Sequence, residues 1–328
     1  MAIHRNTTCE TMIEKFKLEV DQGLRKTPKQ LPSKYFYDEK GDALFVEIMK
    51  LPEYYLTRAE LDIFKNRTED LIRLLGFGSD EFLELIELGA GDGTKTLELL
   101  NTLCERDYPF EYCPIDFSQN ALRLLETDLK RKCPKLQIKP LRGEYFEVLK
   151  NFNGSNHRKV VLFLGSNIGN LRDDRASVFL HELDKTLNVG DRLLLGVDLL
   201  KSEDIVLPAY NDTRGVTREF NLNLLRRINR ELEADFDLEG FEHKPEYDER
   251  TGIAASYLES QYKQKVQING MGVYSFEKGE RILTEISRKY NDDILAQILQ
   301  PTRFKILDKI LDKDNLFADY ILEIEEPS

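Results

Sequence analysis

The stretch "LIELGAGDGTKTLELL" (residues 85–100) places three glycines, at positions 89, 91 and 93, between an apolar run and a helical pattern. In open α/β sheets, a glycine-rich turn from a strand into a helix presents bare backbone to a ligand. Glycine allows this because it has no Cβ. The dinucleotide-binding fingerprint GxGxxG needs its third glycine at position 94, where this chain has Thr94. The stretch therefore predicts a ligand-binding turn and disfavours NAD as the ligand.

The chain around this turn alternates short apolar runs with amphipathic stretches, which is typical of a parallel sheet covered by crossover helices. The predicted strands are 82–88, 111–116, 136–140, 160–165 and 192–198. The predicted helices are 94–104, 118–131 with Ser118 as its N-cap, and 174–187 after Asp173. In the tail, "FKILDKIL" (304–311) and "FADYILEI" (317–324) can complete a seven-stranded sheet. We therefore expect an α/β fold with a doubly wound, Rossmann-like sheet.

Two regions depart from this alternation. The N-terminal part is rich in tyrosine and proline, and within it Thr57 and Glu60 have the spacing of a helix capping box. After Asp198 the sequence predicts a loop over 199–215, a helix, an acidic stretch and then antiparallel strands around 253–286. We expect a discontinuous core domain and a second α+β domain that binds the substrate. The predicted ranges are 61–199 plus 290–328 for the core and 1–60 plus 200–289 for the second domain.

The composition limits the class of partner. The chain has 47 basic and 59 acidic residues, so its net charge is −12, and no basic tail is present to bind a nucleic-acid backbone. No apolar run approaches the roughly 20 residues that cross a bilayer. The four cysteines lack CxxC spacing, and the N-terminus lacks the pattern of a secretory leader. We expect a cytoplasmic monomer that acts on a small molecule, with neither nucleic acid nor membrane as partner.

Acidic side chains follow successive predicted strands. Glu87 and the compact GxGxG are typical of class I methyltransferases, and Asp116 ends the next strand, where its two oxygens can accept both hydroxyls of a ribose. Glu144 and Tyr145 follow the third strand. There the acid can lie near the amino group of an adenine, and the tyrosine can pack on its ring. Singly, a glycine turn can be a plain chain reversal, and a strand-end aspartate can be a helix cap. Together they predict S-adenosylmethionine (SAM), bound by Glu87, Gly89, Gly91, Gly93, Lys95, Asp116, Glu144 and Tyr145.

Longer motifs outside the glycine turn point to one family. They are "YFYDEKG" (35–41), "LPEYYLTRAE" (51–60), "ELGAGDGTKT" (87–96), "LGSNIGN" (164–170), "GVDLLKSEDIVLPAYND" (196–212), "FNLNLLRRINRELEADFDLEGFEH" (220–243) and "ERILTEISRKY" (280–290). In these motifs the chain resembles the SAM-dependent L-histidine Nα-methyltransferases of ergothioneine biosynthesis, over almost its whole length. The resemblance implies a methyltransferase domain, and a substrate domain assembled from the N-terminal segment and the insertion after the fifth strand.

The resemblance also implies how the head group of an amino-acid substrate is bound. Tyr54, Asn170 and Tyr210 would bind its carboxylate, and Asn170 with the backbone at Gly165 would hold its α-amine. Phenol and amide donors can satisfy a carboxylate without a full counter-charge. Methyl transfer from a sulfonium needs no metal and depends mainly on alignment, which can contribute up to ~7 to 11 kcal/mol. We therefore expect no dedicated general base.

For the substrate side chain, the resemblance implies that Tyr37, Glu285 and Ser287 face an imidazole ring, with Tyr37 and Asn170 as the catalytic candidates. An acid and a hydroxyl suit a ring with two nitrogens. Each residue also has an ordinary structural interpretation. Tyr37 and Tyr54 could be core aromatics, Ser287 a polar residue on a strand face, and Glu285 a surface acid.

One segment departs from the family pattern and keeps two alternatives open. In "GIAASYLESQ" (252–261), Ala254, Ala255 and Ser256 stand where better-known members carry a bulky methionine near the imidazole. A smaller wall could admit a larger ring, so a free amino acid such as tyrosine or tryptophan is an alternative acceptor. The acidic stretch "ELEADFDLEGFE" (231–242) allows a second alternative, a non-catalytic SAM-binding regulator. The expected function remains methylation of free L-histidine on its α-amine, up to the trimethyl product.

Overall fold

The structure is a computed structural model that describes residues 3–149, 152, 155 and 157–326, with side chains described from residue 12 onward. The chain divides into two compact units. We call Leu56–Leu200 with Arg288–Ser328 the large-sheet unit, and Met1–Tyr55 with Lys201–Ser287 the small-sheet unit. The boundaries predicted from the sequence differ from these by a few residues. The roles assigned to the two predicted domains remain predictions.

Regular elements account for most of the described chain. The α-helices are α1 (Ile3–Leu24), α2 (Glu39–Ile48), α3 (Leu56–Asn66), α4 (Thr68–Leu75), α5 (Thr96–Glu105), α6 (Gln119–Lys132), α7 (Tyr145–Leu149), α8 (Asp173–Asp184), α9 (Glu203–Tyr210), α10 (Val216–Leu232) and α11 (Asp292–Leu299). The strands are β1 (Lys29–Gln30), β2 (Leu83–Leu88), β3 (Phe110–Asp116), β4 (Gln137–Ile138), β5 (Leu141–Arg142), β6 (Arg158–Phe163), β7 (Arg192–Asp198), β8 (Phe241–Asp248), β9 (Ile253–Ser260), β10 (Gln264–Ile268), β11 (Gly272–Phe276), β12 (Arg281–Arg288), β13 (Phe304–Leu311) and β14 (Phe317–Ile324).

The large-sheet unit is built on one twisted sheet with the strand order β13-β14-β7-β6-β2-β3-β4, and β5 also pairs with β3. The pairs from β7 to β4 are parallel, whereas β14 is antiparallel to both β7 and β13. The predicted Rossmann-like α/β fold is confirmed. One detail differs from the prediction, because the predicted strand 136–140 is shorter and a separate short strand follows it. The parallel strands end together at one edge, where open α/β sheets bind ligands.

Both faces of this sheet are buried, which explains why its strands read as nearly continuous apolar runs. On one face Ile86 and Leu88 pack with Val161. On the other face Leu85 packs with Leu162. Each fully buried aliphatic side chain of this kind contributes about 1.5 to 3 kcal/mol of burial free energy. The double cover holds the strand ends, and the turns that follow them, in a rigid framework.

Two predictions about helix starts had different outcomes. Ser118 is the N-cap of α6, since its Oγ accepts the N–H of Ala121 at 3.1 Å. The predicted capping box of Thr57 and Glu60 is wrong. Helix α3 already begins at Leu56, and Glu60 is fully buried on the apolar side of the helix. Its carboxylate binds groups elsewhere in the unit instead of the start of its own helix.

The small-sheet unit has a four-stranded sheet in the order β1-β12-β9-β8 and a separate β10–β11 hairpin. Helix α10 covers one face, because the single hydroxyl proton of Thr284 on β12 is shared between two acceptors, the amide oxygen of Asn221 on α10 at 2.7 Å and the carbonyl of Ser256 on β9 at 2.9 Å. Side chains alternate between the faces of a strand. Leu258 on β9 and Ile282 on β12 belong to the same buried cluster as Phe220 of α10. Glu285 and Ala255, at the alternate positions of these strands, therefore share the opposite face.

Several elements of this unit were not predicted from the sequence, and α9 and β8 are two of them. The predicted loop 199–215 contains α9, whose first turn carries Glu203 and Asp204 and whose last turn contains Pro208. The acidic stretch 231–250 contains all of β8, where Pro245 is tolerated because β8 is an edge strand. In both segments the proline and the many charged residues indicated a loop. Packing against the rest of the unit stabilises a helix in the first segment and a strand in the second.

Three features bear on the predictions from composition. Cys104, Cys113 and Cys133 are free thiols, whereas the side chain of Cys9 lies outside the described residues. In the part of the chain that the structure describes, no helix combines the length and the apolar character that a membrane span requires. The same described part holds no group of three or more histidine, cysteine or acidic residues arranged to bind a metal ion.

Candidate active site

The glycine turn after β2 has left-handed backbone at all three glycines, with φ of 74° at Gly89, 55° at Gly91 and 66° at Gly93. A Cβ at Gly89 would lie 2.8 Å from the Tyr145 hydroxyl, and one at Gly93 would lie 2.3 Å from a methyl of Leu125. A Cβ at Gly91 would meet nothing within 4 Å. Two of the glycines thus serve close packing, and the third borders open space in which a ligand can approach the backbone.

Glu87, at the end of β2, is buried and already hydrogen-bonded within the protein. Its two carboxylate oxygens accept the hydroxyl of Thr96, at 2.8 Å, and the phenol of Tyr112. Burial raises the pKa of Glu87 to about 7, although both hydrogen bonds act in the opposite direction. This carboxyl group therefore changes its charge near neutral pH. Its predicted contact with the cofactor stays a prediction.

Asp116, the last residue of β3, connects two strand ends. One carboxylate oxygen accepts the N–H of Ser118 at 2.8 Å, and the other accepts the N–H of Gly91 at 3.3 Å. Burial raises the pKa of Asp116 above its ordinary value, and these backbone donors partly offset that effect. Each oxygen has a lone pair left over, so the carboxylate can still accept two hydroxyl groups.

Lys95, in the turn before α5, forms an ion pair with the buried carboxylate of Glu60. Burial alone would lower the pKa of Lys95, but the charge of Glu60 raises it above the ordinary value, so the ammonium keeps its proton. The same carboxylate accepts the N–H of Gly165, with its two oxygens at 2.8 and 3.0 Å from the nitrogen. Glu60 thus connects the turn after β2 with the loop after β6.

Tyr145, the first residue of α7, places its hydroxyl beside Gly89 and its ring among aromatic side chains. The ring centroid lies 5.9 Å from that of Phe117 and 6.1 Å from that of Phe163. Burial raises the pKa of the Tyr145 phenol, so it remains a neutral donor. Glu144 lies next to it with an exposed side chain. Phe117 is 49% exposed, so an apolar ring surface remains open beside the end of β3.

The loop after β6 is sharply bent. Gly165 and Ser166 both have left-handed backbone, with φ of 73° and 56°, and a 3₁₀ turn covers Asn167–Asn170. A left-handed conformation is costly for a serine. The Ser166 hydroxyl accepts the N–H of Asp198 at 3.0 Å, which holds the loop against the end of β7. Asn170 ends this turn and is half-buried.

In the small-sheet unit, two of the predicted tyrosines lie on either side of one phenylalanine. The ring centroid of Phe45 is 5.7 Å from that of Tyr37 and 6.2 Å from that of Tyr54, both in edge-on geometry. Phe220 on α10 packs 5.8 Å from Tyr37. Tyr37 is 40% exposed, so it belongs to the rim of an aromatic cluster and is not a core residue.

The remaining predicted residues of this unit lie on α9 and β12. Tyr210 is the last residue of α9 and is buried. Glu285 and Ser287 are two residues apart on β12, so they lie on the same face of the small sheet, the face that Ala255 also shares. Of the three departing residues, Ala254 and Ser256 lie on the α10 side, and only Ala255 is on the face of the two polar candidates.

Each unit brings together part of the predicted set. The large-sheet unit gathers the residues predicted for the cofactor around the carboxyl ends of β2, β3 and β5. The small-sheet unit places Tyr37 and Tyr54 together and aligns Glu285 with Ser287. Sequence reasoning missed Glu60 and the buried Asp319 on β14. The available signal was an acid inside an apolar stripe, because Glu60 shares the buried side of α3 with Ile63 and Phe64.

Comparison with known proteins gives consistent results. Residues 16–324 match the family model described as "Histidine-specific methyltransferase, SAM-dependent". The chain is 36% identical to a histidine N-alpha-methyltransferase of Mycolicibacterium smegmatis, over 89% of each chain. It is 37% identical to a protein of the same name from Mycobacterium tuberculosis, over 83% of each.

A third relative is a fungal protein, ergothioneine biosynthesis protein 1 of Schizosaccharomyces pombe. The identity is 32%, and the match covers 92% of this chain but 39% of the longer fungal protein. The family model and the two bacterial relatives all extend across both units of the chain. The glycine turn and the carboxylate at the end of the next strand lie within this matched region. The chain belongs to the family of SAM-dependent, histidine-specific methyltransferases.

Proposed function

We propose that the protein transfers methyl groups from SAM to the α-amine of free L-histidine, in successive steps up to the trimethyl product. The observation that carries this proposal is the similarity to histidine N-alpha-methyltransferases over most of the length of both chains. A match limited to the large sheet would indicate the cofactor alone. This match includes the insertion and the N-terminal segment, where an acceptor site would be encoded.

The residues of the large-sheet unit fit the cofactor. Gly91 borders open space, Asp116 has acceptor capacity for a ribose diol, and the exposed face of Phe117 with the nearby Tyr145 suits a purine. Glu87 in its ionised form and the ammonium of Lys95 have the opposite charges that an amino-acid end requires. When bound, SAM supplies a methyl group on a positively charged sulfur. These placements support the cofactor residues that the sequence predicted.

The role of the protein in this chemistry is alignment. The bent loop at Gly165 and Ser166 fixes the backbone that leads to Asn170. We propose that Asn170 and the carbonyl of Gly165 orient the lone pair of the acceptor amine, which must be neutral to react. An α-amine titrates near ~8, and a neighbouring positive charge favours its neutral form. A dedicated base is therefore unnecessary.

The small-sheet unit would recognise the acceptor. We propose that Tyr54 and Tyr210 donate to its carboxylate, while Tyr37, Glu285 and Ser287 face its imidazole. The shared strand face of Glu285 and Ser287 supports this assignment, since a carboxylate and a hydroxyl can then contact the same ring. On that face Ala255 is small, which keeps acceptors with a larger ring as the competing possibility.

Turnover with defined acceptors tests the proposal. Purified protein, SAM and free histidine should give products with one, two or three added methyl groups by mass spectrometry. Tyrosine and tryptophan, offered in competition at equal concentration, should be consumed more slowly. Preferred turnover of either would assign the acceptor differently, and cofactor binding without any acceptor-dependent turnover would indicate a regulator. Light scattering on the same sample checks the proposed monomer.

A further inference from the structure

A buried group of charged side chains lies beside the proposed reaction site in the large-sheet unit. Its centre is Glu60 on α3, whose side chain is 1% exposed. The carboxylate contacts the amide of Gly165 with both oxygens and pairs with the ammonium of Lys95. Lys95 in turn lies close to the loop, because a Cβ at Gly165 would be 3.4 Å from its nitrogen.

A second acidic side chain lies next to Glu60. Asp319 on β14 is fully buried, and neither of its carboxylate oxygens has a donor among the described residues. Gly196 on β7 faces Asp319 in the antiparallel ladder and leaves room for both acids. A Cβ at Gly196 would lie 2.2 Å from one oxygen of Glu60 and 3.0 Å from one of Asp319. The two carboxyl groups are therefore neighbours.

The charges in this group favour an arrangement with one ionised and one neutral carboxyl group. Two ionised carboxylates in contact inside a protein repel each other, and one of them then keeps a proton. Lys95 and the Gly165 amide stabilise the negative charge on Glu60. Burial, and then the charge of Glu60, raise the pKa of Asp319 well above its ordinary value. The raised pKa of Asp319 and the ion pair of Glu60 with Lys95 indicate that Asp319 is the neutral partner.

We propose that Glu60 is a positioning residue for methyl transfer. It holds the loop at Gly165 and the ammonium of Lys95 in one fixed arrangement, and Asp319 supports it as a neutral acid. This proposal rests on the methyltransferase activity of the family but not on histidine as the acceptor.

A purely structural role explains this group poorly. Replacing a buried ion pair by well-packed apolar residues is often neutral or stabilising. The neighbours of Glu60 on the same side of α3 are apolar, so a leucine at that position would extend an existing core. What an apolar residue could not do is accept the Gly165 amide and pair with Lys95 at the same time. The group therefore serves the two site segments that it joins.

The test compares Glu60→Gln with Glu69→Gln, a matched control in which the acid is exposed on α4 and pairs with Arg106. Both variants are compared in two measurements that do not require a methyl-acceptor substrate. The first is the Kd of S-adenosylhomocysteine by calorimetry, and the second is hydrogen exchange of the peptide spanning 164–170. In Glu60→Gln we expect the Kd to rise about tenfold or more, and exchange at Gly165 to become faster, because Lys95 loses its counter-charge. Glu69→Gln should match the wild type in both.

Asp319→Asn tests the neutral acid, since asparagine keeps a donor and carries no charge. We expect its Kd to stay within about twofold of the wild type, whereas Asp319→Leu removes the donor and should weaken binding. Loss of binding in a folded Asp319→Asn would overturn the assignment of the proton. A folded Glu60→Gln with wild-type Kd and exchange would overturn the positioning role. If Glu60→Gln does not fold, Glu60→Asp, one methylene shorter, takes its place with the same two readouts.

Discussion

Asp116 accepts the backbone N–H of Gly91 at 3.3 Å, so the end of β3 is tied to the glycine turn after β2. The same carboxylate is the proposed acceptor for the ribose. We expect Asp116→Ala to raise the Kd of S-adenosylhomocysteine about tenfold or more, because hydrogen bonds to a charged group are lost. Calorimetry measures the Kd. Asp128→Ala, which removes a half-buried acid of α6, is the control, and equal affinities of the two variants would refute the assignment.

Cofactor binding should depend on pH through Glu87. With a pKa of about 7, this carboxyl is mainly protonated at pH 6 and mainly ionised at pH 8. An ammonium group of the cofactor favours the ionised form. The Kd should therefore fall as pH rises from 6 to 8, and Glu87→Gln should weaken binding and flatten the profile. A wild-type Kd that does not change over this range would show that Glu87 does not contact the cofactor.

The acceptor head group gives a prediction that separates its residues from those of the cofactor. Tyr54→Phe and Asn170→Ala should each raise the KM for histidine about tenfold or more, since each removes a hydrogen bond to a charged or reacting group. The Kd of S-adenosylhomocysteine should remain as in the wild type. Tyr108→Phe, at a partly buried position that packs against the core of the large-sheet unit, serves as the control. If the cofactor Kd changes as much as the KM, the two assignments are wrong.

Acceptor choice should depend on the strand face that Glu285 shares with Ala255. We expect Glu285→Ala to reduce the preference for histidine over phenylalanine and tyrosine, because an imidazole loses its charged partner. Ala255→Met should act in the opposite sense and exclude larger rings. Competition assays measure both rankings as ratios of kcat/KM. An unchanged ranking in Glu285→Ala would remove this residue from the imidazole site.

The buried side chain of His243 should make the stability of the small-sheet unit depend on pH. Burial lowers its pKa to about 4, from 6.5 in the unfolded chain. At this residue the unfolded chain therefore binds more protons between these values, so the contribution of His243 to stability decreases as pH falls from 6.5 towards 4. The loss amounts to about 3 kcal/mol. Thermal unfolding across this range is compared among the wild type, His243→Phe and the control His157→Gln, in which an exposed histidine is replaced. The change in stability between pH 6.5 and pH 4 should differ by about 3 kcal/mol between the wild type and His243→Phe, and this difference separates His243 from groups such as Glu87, whose raised pKa acts in the opposite direction. An equal change in both proteins would contradict this source.

The sequence was sufficient where the signal is local. Strands β2, β3 and β7 could be predicted because a parallel sheet that is buried on both faces needs nearly continuous apolar runs. Ser118 could be predicted as an N-cap because its side chain accepts a hydrogen bond from the first turn of its own helix. The role of Glu60 could not be assigned from the sequence, because its spacing from Thr57 also fits a capping box at a helix start. Its actual partners, Lys95 and Gly165, are brought near it by folding alone. Asp319 shows the same limit, because an acid within an apolar strand does not reveal which charge it meets.

The strand order of the large sheet has a consequence for biosynthesis. β14, near the end of the described chain, covers the edge of β7, and the whole insertion lies between them in the sequence. During translation the small-sheet unit, which ends at Ser287, has left the ribosome before that edge can be paired. An unpaired parallel edge is prone to association with other chains. A fragment ending at residue 200 should therefore aggregate, whatever its capacity to bind the cofactor.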